Sequence, residues 1–443
     1  MAPAILIENG TILNPGSAPQ VLSGHTVVIE GDRIARIAPA RAVRGTRGRR
    51  IDASGCVVMP GLINAHTHFY SALARGLTKT KPATEFGDVL RNLWWRLDSA
   101  LNTEDCHVSA LVALIDAIRH GTTTIIDHHA SPRAVDGSLD ALARAVAKTG
   151  VRACLCYEVS DRDGAGIARA GLKENTSFIR CCQKAADPRL KALFGLHASF
   201  TLSDRTLEAA AEAGRELGTG FHIHAAEAQS DQTLTQRAHR ARVIERLQRS
   251  GILGDRSIAA HCVHVNRREM GILAETGTAV VHNPQSNLNN AVGIADVVGM
   301  SQRGVLVGLG TDAMTANLLE ELRVALWGQH ERARDASAGW AEVTSALFTN
   351  NGRIATRIFD LPLGELREGA MADLAITDYD PPTPIDSGNV RGHLLFGVSQ
   401  VPVRTTIVGG RVLMEDRQLR LDLDEARLNA RARERAKALW QRL

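Results

Sequence analysis

Between about residue 60 and residue 310 the chain alternates short apolar runs with longer amphipathic stretches, as in Thr122 to Asp127, Leu139 to Lys148 and Val151 to Tyr157. Each apolar run is short enough for a strand buried on both faces, and each amphipathic stretch has one face to lay over it. Repeated over about 300 residues, that rhythm predicts a parallel sheet wrapped by helices, and the length suits an eight-stranded barrel of the TIM type. The expected strands lie near 59–66, 122–128, 151–157, 192–197, 219–224, 257–261, 278–282 and 305–310.

Both ends of the chain read differently. Short β-like runs separated by turns occupy Ala4 to Ile7, Thr26 to Glu30, Arg33 to Ile37 and Cys56 to Met59, with Asn9-Gly10 and Glu30-Gly31-Asp32 as punctuation. Strands return in Ala372 to Thr377 and Val403 to Val412. The simplest arrangement is an α/β protein in which residues 59–363 form a (β/α)8 barrel. This barrel is inserted in a small β-sandwich domain built from 1–58 and 364–443. The closing segment Asp424 to Leu443 reads as a helix whose Arg-laden face is solvated or meets another subunit.

With 443 residues at 44% hydrophobic, the chain can bury a large core. Its net charge of +4 comes from 52 basic and 48 acidic residues mixed along the chain, which excludes an electrostatic footprint for nucleic acid. A small-molecule substrate is expected instead. The N-terminal run lacks the pattern of a signal peptide, and no apolar run approaches a membrane span. Seven cysteines, none in a CxxC pair, suit free thiols in a reducing compartment, so a cytoplasmic protein is expected. A homo-oligomer, as a dimer, is the default for a soluble enzyme.

His66 and His68 stand two residues apart at the end of the first barrel strand. Strand neighbours at that spacing share a face, so both imidazoles can grip one ion. The remaining ligand types stand at the ends of other runs: His224 after Phe221-His222-Ile223, His261 after Ser257 to Ala260, and Asp312 after Val305 to Thr311. Active sites of barrels are built at the C-terminal ends of different strands. His66, His68, His224 and Asp312 form a three-imidazole, one-carboxylate set for one divalent cation. Zinc suits it and iron is tolerated. His222, two residues deeper than His224, could face the site or be a hydrogen-bonded core residue.

Together Val58-Met59-Pro60-Gly61-Leu62-Ile63-Asn64-Ala65-His66-Thr67-His68, His222-Ile223-His224-Ala225-Ala226-Glu227, Ala260-His261-Cys262, His282-Asn283-Pro284-Gln285-Ser286-Asn287 and Gly310-Thr311-Asp312 resemble the amidohydrolase superfamily. The likeness is to its branch of cytosine-deaminase-like and triazine-hydrolase-like enzymes. Asn92-Leu93-Trp94-Trp95-Arg96-Leu97-Asp98 and Ile126-Asp127-His128-His129-Ala130-Ser131-Pro132 look most like the SsnA-type aminohydrolases. The resemblance implies His66, His68, His224 and Asp312 as metal ligands, Glu227 as proton shuttle, His261 beside the attacking water, and His197 as a substrate contact. Where many relatives read Asp-Gly-x-x-Ser-Asn, this chain has Asp312-Ala313-Met314-Thr315-Ala316-Asn317. Ser286-Asn287-Leu288-Asn289 also lacks a lysine seen in several relatives, so the pocket is its own variant.

The chemistry follows from the residue types. A divalent ion lowers the pKa of a bound water from 15.7 to about 7 and so makes hydroxide available at neutral pH. Glu227 as general acid and base, worth typically about 10²–10⁴-fold, protonates a departing amine, with Asp312 and His261 assisting. Tyr70, Arg75, Trp94 and His129 are expected to contact a planar heterocycle through stacking and hydrogen bonds. Of the adjacent Trp94 and Trp95, only one is expected to face it, since helical neighbours diverge by about 100°. His128 and His129 share a strand end, and either could contact substrate. The expected activity is hydrolysis of a non-peptide carbon–nitrogen bond, deaminating a purine, pterin or pyrimidine. The alternatives are displacement of chloride from a triazine-like ring and a silent ligand-binding barrel.

Overall fold

The computed structural model describes residues 3–77 and 81–443. Eight parallel strands form the barrel: β1 (Leu62–Thr67), β2 (Thr122–Asp127), β3 (Arg152–Leu155), β4 (Phe194–Ala198), β5 (Phe221–Ala225), β6 (Ile258–His261), β7 (Ala279–His282) and β8 (Val307–Leu309). Strands β1 to β3 are hydrogen-bonded in order, as are β4 to β8. Two narrow seams close the ring: Val159 bridges Leu196 between β3 and β4, and Thr67 bridges Asp312 between β1 and β8. The second seam puts Asp312 beside the histidine strand, its N–H bonded to the His66 carbonyl at 3.0 Å.

Helices cover the barrel because their starts are capped and their inner faces are apolar. Asn102 with Asp105 opens the helix Thr103–Arg119, and Asn266 with Glu269 opens Arg267–Thr276, each pair satisfying N–H groups that a helix end would otherwise leave unbonded. Ile63 and Ala65 pack with Ile354, Ile358 and Phe359 of the helix Asn351–Phe359, all buried.

The outer sheets join both chain ends. A seven-stranded sheet includes Thr11–Asn14, Val57–Pro60, Leu374–Thr377, Val403–Val408 and Arg411–Glu415, and a four-stranded sheet holds Ala4–Glu8, His25–Glu30, Arg33–Pro39 and Gly48–Asp52. Two expectations change here. The run expected as one strand over 59–66 is two: Val57–Pro60 pairs antiparallel with Leu374–Thr377, and the barrel strand begins only at Leu62. Gly61 makes the crossing possible, since a Cβ there would meet Thr123 Cγ2 at 2.3 Å. The closing helix, Glu425–Trp440, is not a free surface either. Arg435 Nη2 reaches Asp105 Oδ1 at 2.7 Å, Trp440 Nε1 donates to the Leu73 carbonyl at 2.8 Å, and Leu439 is buried. The arginines dock the helix on the barrel.

Candidate active site

At the C-terminal mouth of the barrel the backbone is strained where the chemistry-bearing side chains leave it. Ala226, His261 and Asp312 adopt φ of 49°, 73° and 50°, the left-handed region that non-glycine residues rarely occupy. These turns aim Glu227, His261 and Asp312 inward.

Four side chains from three strand ends meet there. His68 Nε2 lies 2.9 Å from Asp312 Oδ1 and 3.2 Å from His224 Nε2. His66 Nε2 is 3.8 Å from the same carboxylate oxygen, buried and without a hydrogen-bond partner. The far nitrogens are committed: His68 Nδ1 donates to the His128 carbonyl at 2.5 Å, and His224 Nδ1 to the His197 carbonyl at 3.1 Å. His66 Nδ1 is hydrogen-bonded to His222 Nε2 at 2.9 Å, so His222 stands behind a site residue and orients it. Three Nε2 atoms and a carboxylate therefore face one small volume, and His66, His68 and Asp312 can reach a common ion. The electrostatics ask for positive charge. Burial would lower the His68 pKa, yet the hydrogen bond and charge of Asp312 lift it to about 9. Burial pushes Asp312 up, but the hydrogen bond and charge of His68 outweigh it and hold the carboxyl below its usual range. The residues fit a cation with nitrogen and oxygen ligands.

His261 plays a different part. Asn287 Nδ2 donates to its Nδ1 at 2.8 Å, which leaves the ring proton on Nε2. Burial lowers its pKa to about 4, so the ring is neutral, and Nε2–H faces Glu227 Oε2 at 3.5 Å and Asp312 Oδ2 at 3.8 Å. Burial, with the charges of Asp312 and Asp231, raises Glu227 well above the carboxylate range. The two neighbouring carboxyls are thus pushed in opposite directions, Asp312 towards the ionised form and Glu227 towards the protonated one. Ser286 Oγ donates to the same Asp312 Oδ2, and Asn290 Nδ2 to the other Glu227 oxygen, Oε1, at 3.4 Å.

These groups open on a cavity at the barrel mouth. Tyr70, Trp94 and His197 line it. Trp95 lines it too, against the expectation that only one of the pair would. The segment Leu90–Trp94 is a π-helical turn running into Trp95–Ala100, and the widened turn brings both indoles to the cavity. Arg75 and His129 lie outside it: Arg75 is largely exposed and pairs with Asp116 at 2.8 Å, while His129 Nε2 is bonded to Ser131 Oγ at 3.0 Å behind Tyr70. Asp98, Glu158 and Arg162 also line the cavity. Sequence reasoning missed them, although Glu158 follows β3 at the same pole and Asp98 ends the segment that carries the two tryptophans. Such a mouth is the working end of a metal-dependent hydrolase.

Comparison with known proteins agrees. Residues 57–413 match the model of the amidohydrolase family. Over 99% of both chains, the protein is 32% identical to the 5-methylthioadenosine/S-adenosylhomocysteine deaminase of Pelotomaculum thermopropionicum, and to the 5'-deoxyadenosine deaminase of Methanosarcina mazei at the same identity and coverage. Among solved structures, a zinc-bound adenosine deaminase from Xanthomonas campestris superposes with a TM-score of 0.87 at 24% identity, covering 99% of this chain and 98% of that one. A zinc complex of atrazine chlorohydrolase from Arthrobacter aurescens superposes at 0.81 with 22% identity, covering 98% and 100%. The chain belongs to the amidohydrolase family and is a hydrolytic enzyme.

Proposed function

We propose that the protein deaminates an adenosine-like nucleoside altered at the 5' position, releasing ammonia from the amino-bearing ring carbon. The observation that carries the reading is geometric: Glu227 Oε2 and Asp312 Oδ2 both face His261 Nε2, at 3.5 and 3.8 Å, beside the three converging imidazoles. Relatives of the same length, named for deamination of 5'-modified adenosines, support the substrate class.

His66, His68, His224 and Asp312 would hold a single divalent ion, with zinc favoured by the imidazole-rich set. When bound, that ion supplies hydroxide at neutral pH by acidifying its water. The chain's own residues do the rest. His261 offers Nε2–H to the reacting oxygen, which stabilises charge that develops there. Glu227, whose burial favours its protonated form, delivers a proton to the departing nitrogen, so that ammonia rather than amide ion leaves. Tyr70, Trp94, Trp95 and His197 hold the planar base and exclude water. A cytoplasmic homodimer belongs to the same reading, supported by seven unpaired cysteines and by the default state of soluble enzymes. Among the described residues no helix is long and apolar enough to cross a membrane.

The test is ammonia release from 5'-deoxyadenosine and 5'-methylthioadenosine by the metal-loaded protein, with Glu227→Gln alongside. Turnover that falls about 10²–10⁴-fold in the variant, with its metal retained, is expected. Chloride release from a chlorotriazine without ammonia from any nucleoside would contradict the reading.

A further inference from the structure

The short helix Pro284–Asn289, which follows β7, touches several of the chemistry-bearing groups at once. Ser286 Oγ donates to Asp312 Oδ2, Asn287 Nδ2 to His261 Nδ1 at 2.8 Å, and Asn290 Nδ2, at the end of the turn, to Glu227 Oε1 at 3.4 Å. Ser286 and Asn290 share a face of the helix, with Asn287 about 100° round from Ser286. A shift of this one turn therefore displaces groups that leave β5, β6 and β8.

What holds the turn is a side chain from elsewhere. Its N-cap, Asn283, makes no side-chain bond to it, and Pro284 has no N–H, so the first amide that needs a partner is that of Gln285. Glu321 Oε2 accepts it at 3.2 Å. Glu321 belongs to the helix Leu318–Ala333, whose N-cap is Asn317 in the segment that leads on from Asp312. It is fully buried, lies outside the cavity, and its Oε1 has no hydrogen-bond partner. Burying an unpartnered carboxyl oxygen is costly, and an apolar side chain would fill the place without that cost. Burial also pushes the carboxyl well above its usual range, so the bond asks for an acceptor oxygen and not for a charge.

We propose that Glu321 is a positioning residue of the reaction: through the Gln285 N–H it sets the helix Pro284–Asn289 where Ser286, Asn287 and Asn290 hold Asp312, His261 and Glu227. The inference rests on the deaminase reading above for its effect on rate, and deepens it. Glu321 acts on the reacting groups only through this turn, so its loss slows the chemical step and leaves substrate binding in place.

The experiment compares the parent with Glu321→Gln, Glu321→Met and Glu321→Asp. It reads kcat and KM of the metal-loaded proteins on 5'-deoxyadenosine and 5'-methylthioadenosine, their metal content, and amide hydrogen exchange over residues 284–290. The first variant keeps an acceptor oxygen at the same reach, the second fills the space without one, and the third keeps the charge but falls a methylene short. Expected in Glu321→Met and Glu321→Asp is a fall in kcat of about 10–100-fold, with KM changed less than about threefold, the metal retained and exchange faster over the turn. Glu321→Gln stays within about threefold of the parent and keeps its exchange. Glu321→Met combined with Asn287→Ala loses less than the product of the single losses, since both act through one contact. Should Glu321→Met fail to fold, Glu321→Asp carries the same expectation. Unchanged kcat in a folded Glu321→Met or Glu321→Asp, the reverse order with Glu321→Asp active and Glu321→Gln impaired, or losses that multiply in the double variant overturns the inference. So does metal lost from Glu321→Met with kcat per bound ion unchanged. If the parent releases ammonia from neither nucleoside, the deaminase reading falls while hydrogen exchange still decides this one: unaltered exchange in Glu321→Met overturns it.

Discussion

Asn287 Nδ2 lies 2.8 Å from His261 Nδ1, and this bond fixes which end of the imidazole carries its proton. Aspartate at 287 can only accept, so Asn287→Asp moves the proton to Nδ1 and strips the Nε2 donor that faces Glu227 and Asp312. The expected loss in kcat is about 10–100-fold, the usual range for a residue that orients a metal-site group, with bound metal unchanged. Steady-state kinetics with metal analysis checks it; unaltered kcat would remove His261 Nε2–H from the mechanism.

Asp127 links the pH dependence of stability to the placement of the loop after His68. Its Oδ1 accepts the Phe69 N–H at 2.6 Å, while Oδ2 is buried without a partner. Burial raises its pKa from 3.8 to about 7. The folded protein therefore binds this proton more tightly than the unfolded chain does. The stabilisation is fully present below about pH 4 and is lost as pH rises through about 7. Asp127→Asn lacks this titration, so its stability relative to the parent should improve by on the order of a few kcal/mol between pH 4 and pH 8. Urea unfolding across that range checks the slope; a constant difference would contradict it.

Arg152, on β3, is paired with Asp373 of the outer sheets, both buried, and Asp373 Oδ1 also accepts the Gly409 N–H at 2.7 Å. Removing the arginine leaves an uncompensated buried carboxylate. Arg152→Ala should destabilise the chain by about 3–5 kcal/mol, whereas the double replacement Arg152→Met with Asp373→Leu should cost much less. Denaturant midpoints of the three proteins check this.

The parts of this protein that repeat were legible in its sequence. Eight apolar runs marked the barrel strands, and the ligand-type residues fell at their ends because the fold puts active sites there. Features that depend on one residue's partners were not legible. Gly61 passes as an ordinary glycine until Thr123 is seen against it. The arginines of Glu425–Trp440 read as solvated because their partners, Glu104 and Asp105, lie over 300 positions away. Trp94 and Trp95 were placed by the geometry of a regular helix, which a π-helical turn does not obey. Glu158 and Arg162 belong to no motif, so only the closed barrel shows that they face the cavity.

The central claim is that His66, His68, His224 and Asp312 converge on one cation. Anomalous diffraction at the metal edge from crystals of the zinc-loaded protein tests it most directly. The account predicts one peak, about 2.0–2.2 Å from Nε2 of His66, His68 and His224 and from a carboxylate oxygen of Asp312. A peak held instead by His128 and Glu158, or none in a protein that releases ammonia, would contradict it.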